Sequence, residues 1–272
     1  MDLQAVLLAP KTNVSAMYYK TKLAVHNMTF LNLQNKDCTC FIWNKTEGKL
    51  TADEFSTIII YQLETVKNAL KESENEIILY SDGCNYQNRN STLASALINF
   101  SVANGVVVIQ KYLDRGHTQM EVDAMHSTIE KKLKGVNINL PADYIQICNS
   151  ARRTPKQYEV FYLTYTFFKR FSGLNFVTSI RPGKRIGDPT VTDLRALKYN
   201  PNGTIQYKLR FGDACQNLPL QMNNITAIPF AELPALYKGK LPIKNEKFNH
   251  LQILKTTLEK DYHAFYDNIP HN

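Results

Sequence analysis

The stretch ILYSDGCNYQNRNSTLASAL, residues 78–97, changes from apolar to polar at Asp82. The residues just before it, Ile77, Ile78 and Leu79, have the character of a buried strand, whereas Gly83 and the asparagines that follow are typical of a loop. Asp82 therefore lies at the carboxyl end of a strand. It either begins an ordinary Asp-Gly turn or is held at the rim of a sheet, where open α/β sheets bind their ligands.

Periodicity on both sides of this stretch predicts the surrounding elements. The first helix has a capping box, because Thr51 is followed three residues later by Glu54, and Thr118 with Glu121 predicts a second one. The order β-β-β-α-β-α-β-α predicts an α/β fold with a mixed five-stranded sheet flanked by helices, three antiparallel strands first and Asp82 after a central strand. Strands are predicted at 1–9, 16–33, 37–45, 76–82 and 105–113, and helices at 50–73, 90–103 and 118–135.

The chain after residue 135 has a different texture. Short strands are predicted at 158–163, 191–199 and 205–211, with a hairpin at the NPNG turn (200–203), and one helix closes the chain within 241–270. We therefore divide the sequence into a core, 1–135, and a smaller basic α+β extension, 136–272, packed on that core.

Charge is unevenly distributed along the chain. The net charge is +8, but residues 131–210 hold 15 Lys or Arg against 4 Asp or Glu, so this segment carries +11 and the rest of the chain −3. A basic segment interleaved with aromatic residues and prolines predicts a nucleic-acid partner, DNA in preference to RNA, although a solvated basic face is the alternative. The candidate phosphate contacts are Lys131, Lys132, Arg152, Arg153, Lys169, Arg170, Lys184 and Arg185.

Three aspartates have the order expected of a ribonuclease-H-like active site. Asp2 begins the first strand, Asp82 follows the fourth, and Asp123 lies on the helix after the fifth, 41 residues beyond Asp82. Such a site holds two divalent cations about 3.5–4 Å apart on a scissile phosphate. Carboxylates are the ligands that Mg²⁺ prefers, so the pattern predicts Asp2, Asp82 and Asp123 as catalytic ligands of two Mg²⁺ or Mn²⁺ ions.

Each candidate also has a simpler explanation. Asp82 could only begin a turn, Asp123 could only favour its helix dipole, and Asp2 could be an exposed terminal residue. Secondary candidates are His117, His126 and Glu130, which could equally be a loop hydrogen-bonding residue and two solvated helix residues.

The five cysteines exclude two common functions. Cys38 and Cys40 form a C-x-C pair, the others are scattered, and no C-x-x-C occurs, so neither a zinc knuckle nor a dithiol redox motif is supported. Buried, reduced thiols are expected.

The segments LYSDGCNYQNRN and YLDRGHTQMEVDAMHSTIEKKL resemble a family of transposon-derived domains of invertebrates. Members of this family show an S-D-x-C-x-x-Q-N-x-N stretch, then G-H-S/T and an aspartate before a short I-E. The earlier segments YYKTKLAVHNMTF and FIWNKTEGK and the late segments LPIKNEKFNHLQIL and HAFYDNIP are similar to further features of the family. The resemblance implies a transposase- or integrase-like ribonuclease-H fold with Asp2, Asp82 and Asp123 on the family's acidic positions. Gly83 departs from the asparagine that relatives often carry, and relatives have a long region before this domain.

Two functions of different classes follow. One is a metal-dependent enzyme that cleaves or transfers DNA strands by a two-metal carboxylate site. The other is a domesticated, non-catalytic nucleic-acid-binding protein derived from such an enzyme. A nuclear location is expected for both, no membrane association is expected, and self-association into a homo-oligomer is left open. No helix-turn-helix or zinc finger is visible in the sequence.

Overall fold

A computed structural model describes residues 1–114, 120–219 and 225–272. The chain folds into two compact units. Unit 1 comprises Met1–Lys49, Gln119–Phe167 and Tyr237–Asn272, and unit 2 comprises Leu50–Thr118 and Phe168–Leu236. Each unit takes residues from both sides of the predicted boundary at residue 135, and the roles assigned to the core and the basic extension stay predictions.

The strands and α-helices of the described residues have the following bounds. In chain order the strands are β1 (Asp2–Leu3), β2 (Leu7–Ala9), β3 (Leu23–Leu31), β4 (Cys38–Asn44), β5 (Glu76–Ser81), β6 (Val107–Tyr112), β7 (Glu159–Tyr162), β8 (Ala196–Tyr199), β9 (Ile205–Lys208) and β10 (Gln216–Asn217). The α-helices are α1 (Ala16–Tyr19), α2 (Ala52–Asn68), α3 (Ser91–Asn104), α4 (Glu121–Lys132), α5 (Asp143–Asn149), α6 (Asn245–Lys255) and α7 (His263–Asp267).

Unit 1 is built on a sheet with the order β1-β3-β4-β7, in which β2 also pairs with β3. The early strands are antiparallel, as predicted, and β7 joins β4 in parallel, with Thr39 opposite Glu159. Helices α4 and α5 contact this sheet, and their apolar residues share its core with Val25, Cys40 and Ile42. The predicted first strand is interrupted between β1 and β2, and the predicted second strand begins as helix α1.

Unit 2 contains the second sheet, with the order β10-β9-β8-β6-β5. Strands β5 and β6 are parallel and the other pairs are antiparallel. Burial alternates along β5, so that Ile77 and Leu79 are buried as predicted, whereas Ile78, which was predicted to be buried with them, is exposed together with Tyr80. Helix α3 packs on β6 and β8, and α2 packs on α3. The near-continuous apolar run of β6 correctly predicted an interior strand.

The predicted single sheet over residues 1–135 is wrong. Its strands are divided between the two sheets, because β7 pairs with β4 and β8 pairs with β6, and both partners come from beyond residue 135. Asp82 consequently follows the edge strand β5 and not a central one. The structure supports a mixed α/β class with two mixed five-stranded sheets, and a ribonuclease-H-like arrangement stays a prediction.

The N-terminal caps of the helices agree with the sequence prediction, with one exception. The Thr51–Glu54 capping box of α2 is confirmed. Helix α4 begins at Glu121, so the acid at its third position is Asp123 and not Glu121, while Thr118 lies outside the described residues. The predicted C-terminal helix is divided into α6 and α7. Within the described ranges no helix is long and apolar enough to cross a bilayer.

Candidate metal centre

Asp2, Asp123 and His126 form a cluster in unit 1. Each offers one ligand atom, and these atoms all lie within 4.8 Å of one another. Strand β3 positions both contributing elements, because β1 pairs with it, Asp2 opposite Thr29, and α4 packs against it. His126 follows Asp123 by three residues, so the two side chains lie on the same face of α4. The structure thus brings together two of the predicted aspartates and one secondary candidate.

The imidazole of His126 is buried, neutral and able to act as a metal ligand. Only 7% of the residue is exposed, and its Nε2 is buried without a hydrogen-bond partner among the described residues. Burial lowers the pKa of His126, and this effect outweighs the opposing influence of neighbouring groups that include Asp123 and Glu130. The imidazole is therefore neutral at pH 7, which is the form that binds a cation.

Asp123 has a structural task as well. Its Oδ2 accepts a hydrogen bond of 2.6 Å from the backbone N–H of Met120 and so caps α4. Asp123 therefore does stabilise the start of its helix, which was the simpler explanation for this residue. A carboxylate has two oxygens, and capping through Oδ2 is compatible with binding a cation through Oδ1.

The donor set can be compared with the preferences of cations. Two carboxylates and one imidazole fit a single transition-metal ion such as Mn²⁺ better than Mg²⁺, which prefers oxygen ligands and retains several waters. Within residues 1–114, 120–219 and 225–272, this is the one cluster of three His, Cys, Asp or Glu ligands in such proximity. The identity of the ion and a second ion stay predictions.

Asp82 lies in unit 2, at the end of β5, and its convergence with Asp2 and Asp123 stays a prediction. Its Oδ1 accepts hydrogen bonds from the backbone N–H of Cys84, at 3.1 Å, and from Nδ2 of Asn88, at 2.8 Å. The first of these bonds closes the turn that the Asp-Gly sequence predicted. The second orients the carboxylate from a side chain that is only 2% exposed.

Asn88 and Arg89 anchor this loop within unit 2. The backbone carbonyl of Asn88 accepts from Nε2 of Gln110, at 2.6 Å, and from the hydroxyl of Tyr112, at 3.1 Å. Arg89 donates to the carbonyls of Thr192 and Leu194. Its guanidinium also lies over the Tyr112 ring, 4.3 Å from the ring centroid.

Asn90 completes the motif at the start of α3. Its Oδ1 accepts from the backbone N–H of Leu93 at 2.8 Å, which makes it the N-cap. The three residues Asn88, Arg89 and Asn90 therefore hold the Asp82 loop in place. Sequence reasoning used these residues only for a resemblance and missed their contacts, since an Asn-rich loop carries no periodic signal.

The other candidates are scattered. Glu130 is exposed and is not part of the cluster, and His117 lies outside the described residues. The basic candidates are divided between the units, so the structure does not assemble them on one unit. Those in unit 1 are Lys131, Lys132, Arg152 and Arg153, and those in unit 2 are Lys169, Arg170, Lys184 and Arg185.

Arg152 is engaged in packing. It donates to the carbonyls of Lys156 and Lys36, both at 2.8 Å, and its guanidinium lies 4.8 Å from the centroid of the Tyr158 ring. Its predicted phosphate contact therefore competes with a structural role. The exposed Arg153, which makes none of these contacts, is a better test of phosphate binding.

The cysteine expectation holds for most of the thiols. All five are free, and Cys38, Cys40 and Cys148 are buried in the core of unit 1. Cys84 is partly buried and Cys215 is exposed.

Comparison with known proteins adds no relative. No family model matches the chain, and neither a curated protein nor a solved structure shows significant similarity to it.

Proposed function

We propose that this chain is a metal-dependent polynucleotidyl transferase or nuclease, similar in chemistry to transposases and integrases. The observation that carries the proposal is the cluster of Asp2, Asp123 and His126, with ligand atoms within 4.8 Å of one another and with a buried imidazole nitrogen that has no partner among the described residues. Its order in the sequence and the resemblance to transposon-derived domains support the same class. A nuclear location would follow from a chromosomal DNA substrate.

The chemistry requires such a site. A cation bound there would polarise a phosphodiester oxygen and lower the pKa of an attacking water or hydroxyl group. Asp2 and Asp123 would neutralise the charge of the cation, and His126 would fix its position from the buried side of α4. The sequence prediction adds Asp82 as a third carboxylate. Its orienting bond from Asn88 suits an acid that must present its other oxygen in a fixed direction.

A second function has one specific observation in its favour. Because Asp123 caps α4, this acid would be retained even in a protein without catalytic activity. The chain could then be a nucleic-acid-binding protein derived from a transposase. Divalent-cation binding separates the two functions, since the binding protein has no need of the cluster.

The decisive experiment measures Mn²⁺ binding by isothermal titration calorimetry and plasmid nicking on the same preparations. Asp123→Asn is the informative variant, because asparagine can still accept the bond from Met120 and the helix cap is retained. We expect it to abolish measurable Mn²⁺ binding and to lower nicking at least a hundredfold, about 2.7 kcal/mol of barrier.

The matched control is Glu130→Gln, which removes one exposed carboxylate from the same helix. It should leave both readings unchanged. Mn²⁺ binding and nicking that survive Asp123→Asn would contradict the proposed site. DNA binding by the wild-type chain with neither Mn²⁺ binding nor nicking would favour the binding protein.

A further inference from the structure

The sheet of unit 2 has an open face with a regular arrangement of side chains. Helix α3 covers one face, and on the other the strand registers place side chains in two rows. We call this surface the open face. One row is Tyr80, Lys111, Ala196 and Lys208, and the other is Ile78, Ile109, Lys198 and Gln206.

A hollow lies in the middle of the open face. Its volume is about 330 Å³, and Ala196 forms its floor because its small side chain stands between Lys111 and Lys208 on the neighbouring strands. Phe211 and Cys215 also line it, and both are exposed. The volume is at the lower end of the range of ligand pockets, about 300–1,000 Å³.

The charged side chains that line the hollow are all positive. Lys111, Lys198 and Lys208 line it, no carboxylate does so among the described residues, and none of the three is in an ion pair there. Lys111 donates to the hydroxyl of Tyr80, and Lys208 donates to the carbonyl of Phe211. The open face therefore presents three lysines that have no ion-pair partner among the described residues, and one acidic residue, Glu76, lies on the same face at the start of β5.

The arrangement of these cations favours a polyanion. Lys111 and Lys208 lie on strands two apart, so their backbones are separated by about 9–10 Å, and Lys198 lies on the strand between them. Three lysines spread over this width can contact successive phosphates of one strand. Tyr80 is 37% exposed, with Nζ of Lys111 5.2 Å from its ring centroid, and Phe211 is 47% exposed, so each has exposed ring surface on which an unpaired base can stack. Duplex DNA buries its base faces and cannot use these rings.

We propose that the open face of unit 2 binds single-stranded nucleic acid, with phosphates on Lys111, Lys198 and Lys208 and bases stacked on Tyr80 and Phe211. The surface would hold a displaced or unpaired strand of the substrate. None of its three lysines is among the candidate phosphate contacts named from the sequence, although Lys198 and Lys208 lie in the basic segment 131–210. The proposal rests on the proposed function only for the nature of the substrate and does not depend on the metal cluster.

The first test measures the salt dependence of binding to a fluorescein-labelled oligothymidylate. Replacing the three lysines by glutamine should weaken binding and reduce the slope of log K against log salt by about 2, since each lost contact to a single strand contributes about 0.7. The matched control is Lys67→Gln with Lys71→Gln on and after α2, which removes charge from the same unit but not from the open face. It should leave the slope unchanged.

The second test isolates stacking. Tyr80→Ser should weaken oligothymidylate binding about tenfold, whereas Tyr80→Phe, which keeps the ring and loses only the hydroxyl, should bind nearly as well as wild type. Equal affinities for both variants and wild type would overturn the stacking part of the proposal.

The third test locates the ligand. Cys215 lines the hollow and is exposed, so its alkylation by iodoacetamide, followed by mass spectrometry, should slow when oligothymidylate binds. Unchanged alkylation with saturating oligothymidylate, or equal protection by polyglutamate, would overturn the proposal. Asp123→Asn should not alter the protection. Failure of the metal site and failure of the open face are therefore distinguishable.

Discussion

Gly83 is a position at which the structure makes a specific demand on the sequence, because the side chain of Arg89 packs directly against it. A Cβ at this residue would lie 2.9 Å from Nη2 of Arg89 and 3.0 Å from its Cζ. Real Cβ contacts are not that short, so Gly83→Ala must displace the guanidinium. Long side chains usually move easily, but Arg89 is only 7% exposed and is held by the carbonyls of Thr192 and Leu194 at 3.1 and 3.2 Å.

The expected loss follows from these contacts. A hydrogen bond to a charged group contributes about 1.5–3 kcal/mol, and displacement should weaken both bonds without removing them. We therefore expect Gly83→Ala to lower the free energy of unfolding by about 2 kcal/mol. The assay is urea denaturation followed by circular dichroism. Gly173→Ala is the control, because a Cβ there meets nothing within 4 Å.

A double-mutant cycle identifies the cause. If Arg89 is responsible, Gly83→Ala should cost almost nothing when Arg89 is already alanine, and the coupling energy should be about 2 kcal/mol. A Gly83→Ala variant as stable as Gly173→Ala, or a coupling energy near zero, would refute the reasoning.

Two further predictions concern a buried histidine and the Asp82 loop. Burial, assisted by the charges of Lys45 and Lys247, lowers the pKa of His26 from 6.5 to about 4. The stability that neutral His26 contributes is therefore fully present above pH 6.5 and is lost as the pH falls towards 4, by up to about 3 kcal/mol. In His26→Phe, the free energy of unfolding measured by urea denaturation should depend less on pH over this range. A pH profile identical to that of wild type would contradict the lowered pKa of His26. Asn88→Ala should accelerate hydrogen exchange of the amides in residues 82–90 about tenfold, because the loop loses its 2.8 Å bond to Asp82, and exchange in α2 should not change.

Local sequence predicted the elements well where they depend on local interactions. The strand before Asp82, the interior strand β6 and the Thr51–Glu54 cap were predicted correctly, because apolar runs and capping residues act over a few positions. The exposure of Ile78 was not predicted, since an apolar run does not tell which of its residues face the core. Which strands pair with one another could not be predicted from the sequence. Strand β4 takes its parallel partner from 120 residues further along, with Thr39 opposite Glu159, and alternation tells which face of a strand is buried but not which strand lies beside it.

The candidate site shows the same division. The three-residue spacing of Asp123 and His126 is enough to predict that both lie on one face of a helix. The burial of His126 was not predictable, since a histidine on a polar helix is usually solvated and the packing of α4 on β3 and α5 is a tertiary feature. The open face of unit 2 was also hidden, because Lys111, Lys198 and Lys208 come together only through the registers of three strands.

The most direct test of the central claim is electron spin-echo spectroscopy of Mn²⁺ bound to the chain. If Asp2, Asp123 and His126 hold the cation, the echo envelope should show coupling to an imidazole nitrogen in wild type and none in His126→Gln. The same coupling in both proteins, or no nitrogen coupling in wild type with Mn²⁺ bound, would contradict the assignment of the metal centre.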